Sequence, residues 1–252
     1  MLLAGQSVGA DFLHEFKHDS TTRFIVVDPD PVEGGALYNA VGHDPNTSDV
    51  FFKEGPGARL AGYLSVLMAE QSSGKRPVRV SEILVNKTVS ANVRCCFEWG
   101  ATDAVPALGV TVRTDYAGKF KPPSVCETIA SQQIDSGSRV IYADAGACDD
   151  GAVSAARGRG VWVIEGDQDP NDPPAGPQII GYTVKSFREE VDYAIRNFLA
   201  HTLPRSHHID IGIATEAVNF FPTNLVPRKI SDQLADYKGE HLNCWTSGRV
   251  DC

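Results

Sequence analysis

Short apolar runs alternate with amphipathic helical patterns along most of the 252 residues. Apolar runs bounded by Gly, Pro or Asp predict buried strands, and apolar residues spaced three and four apart predict helices that cover a sheet. The predicted strands begin near residues 1, 23, 50, 78, 108, 140, 161, 179 and 209. Because strands that alternate with helices form βαβ units, the pattern predicts a mostly parallel α/β fold.

The helical segments carry the apolar faces that this fold requires. In the helix predicted from Glu54, an apolar face is formed by Leu60, Leu64, Leu67 and Met68. Capping-box patterns, in which Ser is followed three residues later by Glu, predict helix starts at Ser124 and Ser186. In the second of these helices one face is predicted from Phe187, Val191, Ile195, Phe198 and Leu199.

The C-terminal quarter has weaker patterns. Residues 218–222 are predicted to be a loop, and Pro227 opens a last amphipathic helix that extends to about Tyr237. The remaining residues, 239–252, show no periodicity. We therefore expect this tail to be loosely held.

The length exceeds one average domain and fits two modest α/β lobes or one large one. The polar segment 71–77 is the first candidate for a crossing between them. With crossings near Ser72, Tyr182 and Pro204, the N-terminal lobe comprises residues 1–73 and 182–205, and the C-terminal lobe residues 74–181 and 206–252.

Composition excludes several classes of function. The formal charge of -9 and the pI of about 5.2 argue against nucleic-acid binding, which requires clustered Lys and Arg. No apolar stretch approaches the roughly 18 to 20 residues of a membrane span. The six cysteines contain no CxxC pair and no zinc spacing, so a metal site is not expected, and their even number permits disulfides without requiring them.

The segment 161–185 concentrates the unusual chemistry. Its buried strand is followed by Asp167 and Asp169 in a loop rich in Pro, and its second apolar run ends at Lys185. Further polar or aromatic loops follow other predicted strands, at residues 9–11, 115–120 and 144–146. The carboxyl ends of parallel strands meet at one rim, so these loops predict a site for a polar, partly aromatic ligand.

Two other motifs are weighed against this prediction. Asp167, Asp169 and Asn171 copy the first ligand positions of an EF-hand loop, but Asp172 stands where glycine is needed and Gln178 where glutamate is needed, so calcium is rejected. Gly5 to Gly9 reads GQSVG, formally a hydrolase nucleophile elbow. A serine hydrolase that uses Ser7 with one of His201, His207, His208 or His241 is therefore an alternative.

Several segments in order resemble the basic membrane protein family, the PnrA-like substrate-binding lipoproteins of bacterial ABC transporters that capture purine nucleosides. Residues 50–64, VFFKEGPGARLAGYL, resemble the family's VxFKExEGSFLAGYLAG segment, and Phe97 and Gly100 lie where its GFxxG sits, with Cys96 in place of the first glycine. The similarity continues in residues 132–146, 161–169, 183–185 and 218–222.

The resemblance implies a type I periplasmic-binding-protein fold, with two doubly wound parallel-sheet lobes that close on a ligand in the cleft. It implies that Asp167 binds ribose hydroxyls, Lys185 lies at the ribose side, Phe120 stacks near the base and Gly146 lines the pocket. Asp11 matches an acidic residue that follows an N-terminal turn of the family. No catalytic step and no cofactor are implied, and the partners are the nucleoside and the ABC permease.

The chain departs from the family in two places. The family begins with about one more βαβα unit, which includes a signal peptide and a lipid-anchoring cysteine, so we expect the first lobe to be incomplete at its N-terminus. Membrane attachment, on the extracytoplasmic face, is expected only through that anchor. Asp144 and Ala145 replace a small, uncharged turn. A cytoplasmic sensor of the same fold is a further alternative.

Overall fold

The computed structural model describes residues 2–4, 18–28, 44–73, 77–105, 109–119, 121–169, 171–172, 174, 176–205 and 207–246. These residues form two compact units. Unit 1 comprises Met1–Lys53 and Ser186–Val218, and unit 2 comprises Glu54–Lys185 and Asn219–Cys252. The predicted combination of parallel strands and helices is present in the described residues of both.

Unit 1 is built on a four-stranded sheet in the order β1-β2-β3-β9, in which every neighbouring pair is parallel. A helix, α5, and apolar side chains of β2, β3 and β9 form its core. Helix α5 begins after Ser186, whose hydroxyl accepts a hydrogen bond from the Glu189 N–H as its pattern predicts. The elements are β1 Leu2–Ala4, β2 Phe24–Val27, β3 Thr47–Phe52, α5 Phe187–Leu199 and β9 His207–Ile211.

Unit 2 contains a six-stranded sheet in the order β10-β8-β7-β6-β4-β5. Its strands are β4 Val78–Leu84, β5 Val110–Tyr116, β6 Val140–Asp144, β7 Trp162–Gln168, β8 Ile179–Lys185 and β10 Val218–Pro222. Its helices are α1 Gly55–Ser73, α2 Ala91–Ala104, α3 Pro123–Asp135, α4 Asp149–Ala156 and α6 Arg228–Thr246.

Helices cover both faces of the unit 2 sheet. On one face, Ile83, Ile141 and Val163 pack against α3 and α4. On the other face, Phe97 of α2 stacks on Tyr142 with 5.4 Å between the ring centroids. Helices α1 and α2 cross with their backbones in contact. Glycine at position 62 permits this close approach, since a Cβ atom there would overlap the Phe97 carbonyl group. The central strand β6 is therefore buried, and its carboxyl end lies at the edge of the sheet that a ligand can approach.

The observed division of the chain differs from the predicted one. The chain passes between the units after Lys53, Lys185 and Val218. The crossing after Lys185 lies near the predicted Tyr182, whereas the other two are not at Ser72 and Pro204. Helix α1 packs against α2, β6 and β8, which places residues 55–73 in unit 2. Strand β9 pairs with β3 in parallel register, which places residues 207–211 in unit 1. The long-range packing decides the boundaries, and the polar segment around residues 71–77 does not.

Four local predictions are wrong. Residues 218–222 form the edge strand β10 beside β8 and are not a loop. Helix α6 continues through residues 239–246, which were expected to be loose. Helix α3 begins after Pro122 with no side-chain cap, so Ser124 does not form a capping box. In α5, Phe187 and Leu199 are exposed, whereas Glu190 and Ala194 are buried.

Within the residues that the structure describes, no helix combines the length and the apolar character needed to cross a membrane.

Candidate functional site

Acidic side chains gather around Lys185 at the carboxyl ends of the central strands of unit 2. The Lys185 Nζ atom lies 2.6 Å from Glu54 Oε1 and 3.6 Å from Asp167 Oδ2. Lys185 ends β8, Asp167 lies near the end of β7, and Glu54 immediately precedes α1. Only 11% of the Lys185 side chain is exposed, so its charge is directed to these two carboxylates.

Asp167 projects from an irregularity in β7. The strand register shifts between Glu165 and Gln168, and Asp167 has a φ of 52°, in the left-handed region that Asp tolerates better than most residues. Its N–H donates to the Thr183 hydroxyl at 3.1 Å, which fixes the bulge against β8. The sequence predicted a loop here, whereas the strand continues to Gln168. The bulge turns the carboxylate toward Lys185.

Asp144 is a further acidic residue of the same cluster. It is the last residue of β6, and its side chain lies against Gly166, where an added Cβ atom would overlap the carboxyl group. Asp144 is 8% exposed. Burial raises the pKa of Asp144 well above its usual range, and the neighbouring charges of Asp167, Glu54 and Asp149 raise it further while Lys185 lowers it.

A braced turn follows Asp144. Gly146 has a φ of 66°, which favours glycine, and a Cβ atom there would meet nothing within 4 Å. The Ala145 N–H donates to the buried Asp149 Oδ1 atom at 2.9 Å. A disulfide between Cys126 of α3 and Cys148 ties the turn to the neighbouring helix. Gly146 therefore leaves open space on a turn that is held from both ends.

The structure brings together two of the five predicted ligand-binding residues, Asp167 and Lys185. Gly146 lies on the turn after the adjacent strand, β6. Asp11 and Phe120 lie outside the described residues, as does Ser7 of the hydrolase alternative. The assignment of roles to these residues stays a prediction.

Glu54 was missed as part of the cluster, and Asp144 was noted only as a departure from the family turn. Glu54 lies in the sequence Lys-Glu-Gly directly before α1, and this pattern was interpreted only as the start of a helix. Asp115, in contrast, pairs with Arg113 at 2.7 Å on the edge strand β5, two strands away from β6. Asp169 accepts hydrogen bonds from the Asn171 backbone and side chain, as a turn-forming residue does.

A family model described as ABC transporter substrate-binding protein PnrA-like matches residues 6–243. The chain belongs to this family. No curated protein matches the chain in sequence. As a PnrA-like protein it is a member of a family of solute-binding components of ABC transporters.

Solved structures agree on the fold of this PnrA-like chain. An ABC transporter solute-binding protein from Aeropyrum pernix K1 is 18% identical with a TM-score of 0.60, over 90% of this chain and 58% of that one. One from Conexibacter woesei DSM 14684 is 16% identical with a TM-score of 0.63, over 99% and 78%. A transcriptional activator of the comK gene from Bacillus halodurans is 14% identical with a TM-score of 0.75, over 95% and 77%. The predicted type I periplasmic-binding-protein fold is confirmed.

Proposed function

We propose that this chain captures a purine nucleoside for an ABC-type importer and that the ribose binds at Asp167 and Lys185. The observation that carries the proposal is the contact of Lys185 with Glu54 and Asp167 at the carboxyl ends of the strands. Carboxylate oxygens accept hydrogen bonds from vicinal hydroxyl groups, and an ammonium group donates to their oxygens. Family membership supports the nucleoside as the ligand.

The remaining ligand contacts are proposals of the same kind. Gly146 offers open space beside the cluster, which supports its place in the pocket lining. Phe120 and Asp11 are proposed to lie near the base by family similarity. Closure of two lobes around the ligand, predicted from the sequence, also stays a prediction.

We propose that the chain works outside the cytoplasm, at the membrane, with an ABC permease as its partner and a lipid anchor for attachment. The Cys126–Cys148 disulfide supports this location, because disulfides persist mainly in oxidising compartments. No catalytic step is proposed. A fluorophosphonate probe is expected to leave the protein unlabelled, and labelling at Ser7 would favour the hydrolase alternative.

The proposal is tested by titrating inosine, adenosine and guanosine into the protein in a calorimeter and by thermal melting. A nucleoside that binds the folded form is expected to raise the melting temperature in a concentration-dependent way. Asp167→Ala removes charge-assisted hydrogen bonds worth roughly 1.5 to 3 kcal/mol, so the affinity is expected to fall about tenfold to over a hundredfold.

Two further variants separate charge from backbone effects. Asp167→Asn keeps a residue that tolerates the left-handed φ and is expected to lose about tenfold in affinity. Asp169→Ala removes a turn contact two residues away and is expected to bind nearly as tightly as the parent. The proposal is wrong if no nucleoside shifts the melting temperature at millimolar concentration. The placement of the ribose is wrong if Asp169→Ala is the more damaging change.

A further inference from the structure

We propose that Asp144 is a specificity-determining residue of this site, whose carboxyl group donates a hydrogen bond to an acceptor atom of the bound ligand. The inference rests on the proposed function and adds to it a ligand class: a neutral molecule that presents a hydroxyl oxygen or a ring nitrogen to Asp144. A purine nucleoside carries acceptors of both kinds.

The position of Asp144 gives it access to a ligand held by Asp167. Parallel strands β6 and β7 run side by side, with Ala143 opposite Glu165, so Asp144 reaches the level of Gly166 and Asp167. The Asp144 carboxyl group lies against the Gly166 backbone, a contact that a side chain at residue 166 would prevent. Gly166 therefore lets the buried Asp144 carboxyl group lie close to the backbone beside Asp167.

Asp144 has no side-chain partner in the part of the chain that the structure describes. Among the described residues it takes part in no hydrogen bond or ion pair, although it is 8% exposed. Lys185, the cation of the cluster, is in contact with Glu54 and Asp167 instead. The Asp144 oxygen atoms are not among the fully enclosed side-chain atoms that lack a hydrogen-bond partner, so the carboxyl group is accessible to a ligand atom.

The charged and titratable groups around Asp144 decide which proton state meets the ligand. They are Asp167 of β7, Glu54 before α1, Asp149 of α4, Lys185 of β8 and Tyr142 of its own strand. Four of them carry negative charge when ionised and one carries positive charge. Burial and this surplus of acid raise the pKa of Asp144 and so favour its protonated form, which has a hydroxyl hydrogen to donate.

A different use of the same acid makes the opposite prediction. If Asp144 met a cationic ligand group, it would act as a carboxylate, and binding would strengthen as the pH rises and the proton leaves. A donor, in contrast, is lost as the pH rises through the pKa. The sign of the pH dependence of affinity therefore separates the two roles.

The test is calorimetric titration of inosine into the parent, Asp144→Asn and Asp144→Ala from about pH 6 to about pH 9. The parent affinity is expected to fall with rising pH. Asp144→Asn, whose amide still donates, is expected to bind within about threefold of the parent at pH 6 and to show no such fall. Asp144→Ala is expected to bind about fivefold to tenfold more weakly at pH 6.

Asp149→Asn is the matched control. It neutralises a second buried acid of the cluster while its amide oxygen still accepts from the Ala145 N–H, and it is expected to keep the fall of affinity with pH. Melting curves without ligand establish that each variant is folded, and if Asp144→Ala is not, the comparison of Asp144→Asn with the parent decides.

Three results would overturn the inference. The first is that the affinity of the parent is constant or rises with pH. The second is that Asp144→Asn keeps the pH dependence of the parent. The third is that Asp144→Ala is folded and binds as tightly as the parent. A parent that binds no nucleoside at any pH is a distinct outcome: it refutes the proposed function, and the inference falls with it.

Discussion

Each unit of the molecule buries an aspartate at a sheet, and the two differ in what they contact. In unit 1, Asp49 lies within β3, is fully buried, and has its Oδ2 atom 2.6 Å from His208 Nδ1 on the neighbouring strand. In unit 2, Asp144 lies at the end of β6 and has no such partner among the described residues. Burial raises the pKa of both, for Asp49 to about 6.

The difference follows from position along the strand. A residue within a strand is enclosed by its neighbours, so a buried acid there must find its partner in the sheet, as Asp49 does through the register with His208. A residue at the carboxyl end of a strand faces a loop region that a ligand can enter. An acid within a strand is therefore expected to control stability, and one at a strand end is expected to control binding.

Glu82 offers the strongest test of the first half of this rule, since it is buried within β4 and forms no ion pair with the described residues. Thr114 donates to Oε1, and Oε2 has no partner in the described part of the chain. Burial raises the pKa of Glu82 from its ordinary value of 4.5 to about 8. The folded state keeps the proton over this interval while the unfolded chain loses it, so stability falls as the pH rises.

Glu82→Gln removes the ionisable group and therefore the loss of folding stability at high pH. Its free energy of unfolding is expected to exceed the parent's by roughly 3 to 5 kcal/mol at about pH 8, with the difference shrinking toward zero at about pH 4.5. Chemical denaturation at several pH values measures it. A difference that does not change with pH would show that Glu82 is ionised in the folded protein. Nucleoside affinity should stay unchanged at neutral pH, because Glu82 is not in the cluster around Lys185.

His208→Ala tests the paired acid of unit 1. The change leaves the buried Asp49 carboxyl group without its charge-assisted hydrogen bond and is expected to destabilise the protein by about 2 kcal/mol at neutral pH. Thermal melting measures the loss.

Lys53→Ala is the matched control for this change. It removes an ion pair with Asp210 between the same region of β3 and β9, but that pair is 34% and 52% exposed. Its loss is expected to cost less than about 1 kcal/mol. If the two variants melt alike, the partner of Asp49 contributes no more than a surface ion pair does, and the contrast between Asp49 and Asp144 loses its basis.

The fold was readable from the sequence because its signals are local. The apolar face of α1 from Leu60 to Met68 and the strand ending at Lys185 are both found as predicted. Strand β10 was missed because residues 218–222 contain Asn and Pro and become a strand only by pairing with β8, which is distant in the chain. The crossings predicted near Ser72 and Pro204 were misplaced for the same reason, since α1 and β9 are assigned by long-range packing.

The site was readable in part. Asp167 and Lys185 were predicted from their places after strands and from the family resemblance, and the structure brings them within 3.6 Å. The bulge that turns Asp167, the role of Glu54 as the nearest partner of Lys185, and the burial of Asp144 against Gly166 depend on three-dimensional contacts. Residue types alone do not distinguish a buried acid that is paired, such as Asp49, from one that is not.

The central claim is that the ligand binds at the acidic cluster around Lys185 in unit 2, and a crystal structure of the protein grown with inosine tests it most directly. We expect ribose hydroxyl groups within about 3 Å of the Asp167 carboxylate and of Lys185 Nζ, and an acceptor atom of the nucleoside at the same distance from Asp144. A nucleoside bound elsewhere, with Asp167 and Asp144 untouched, would contradict the account.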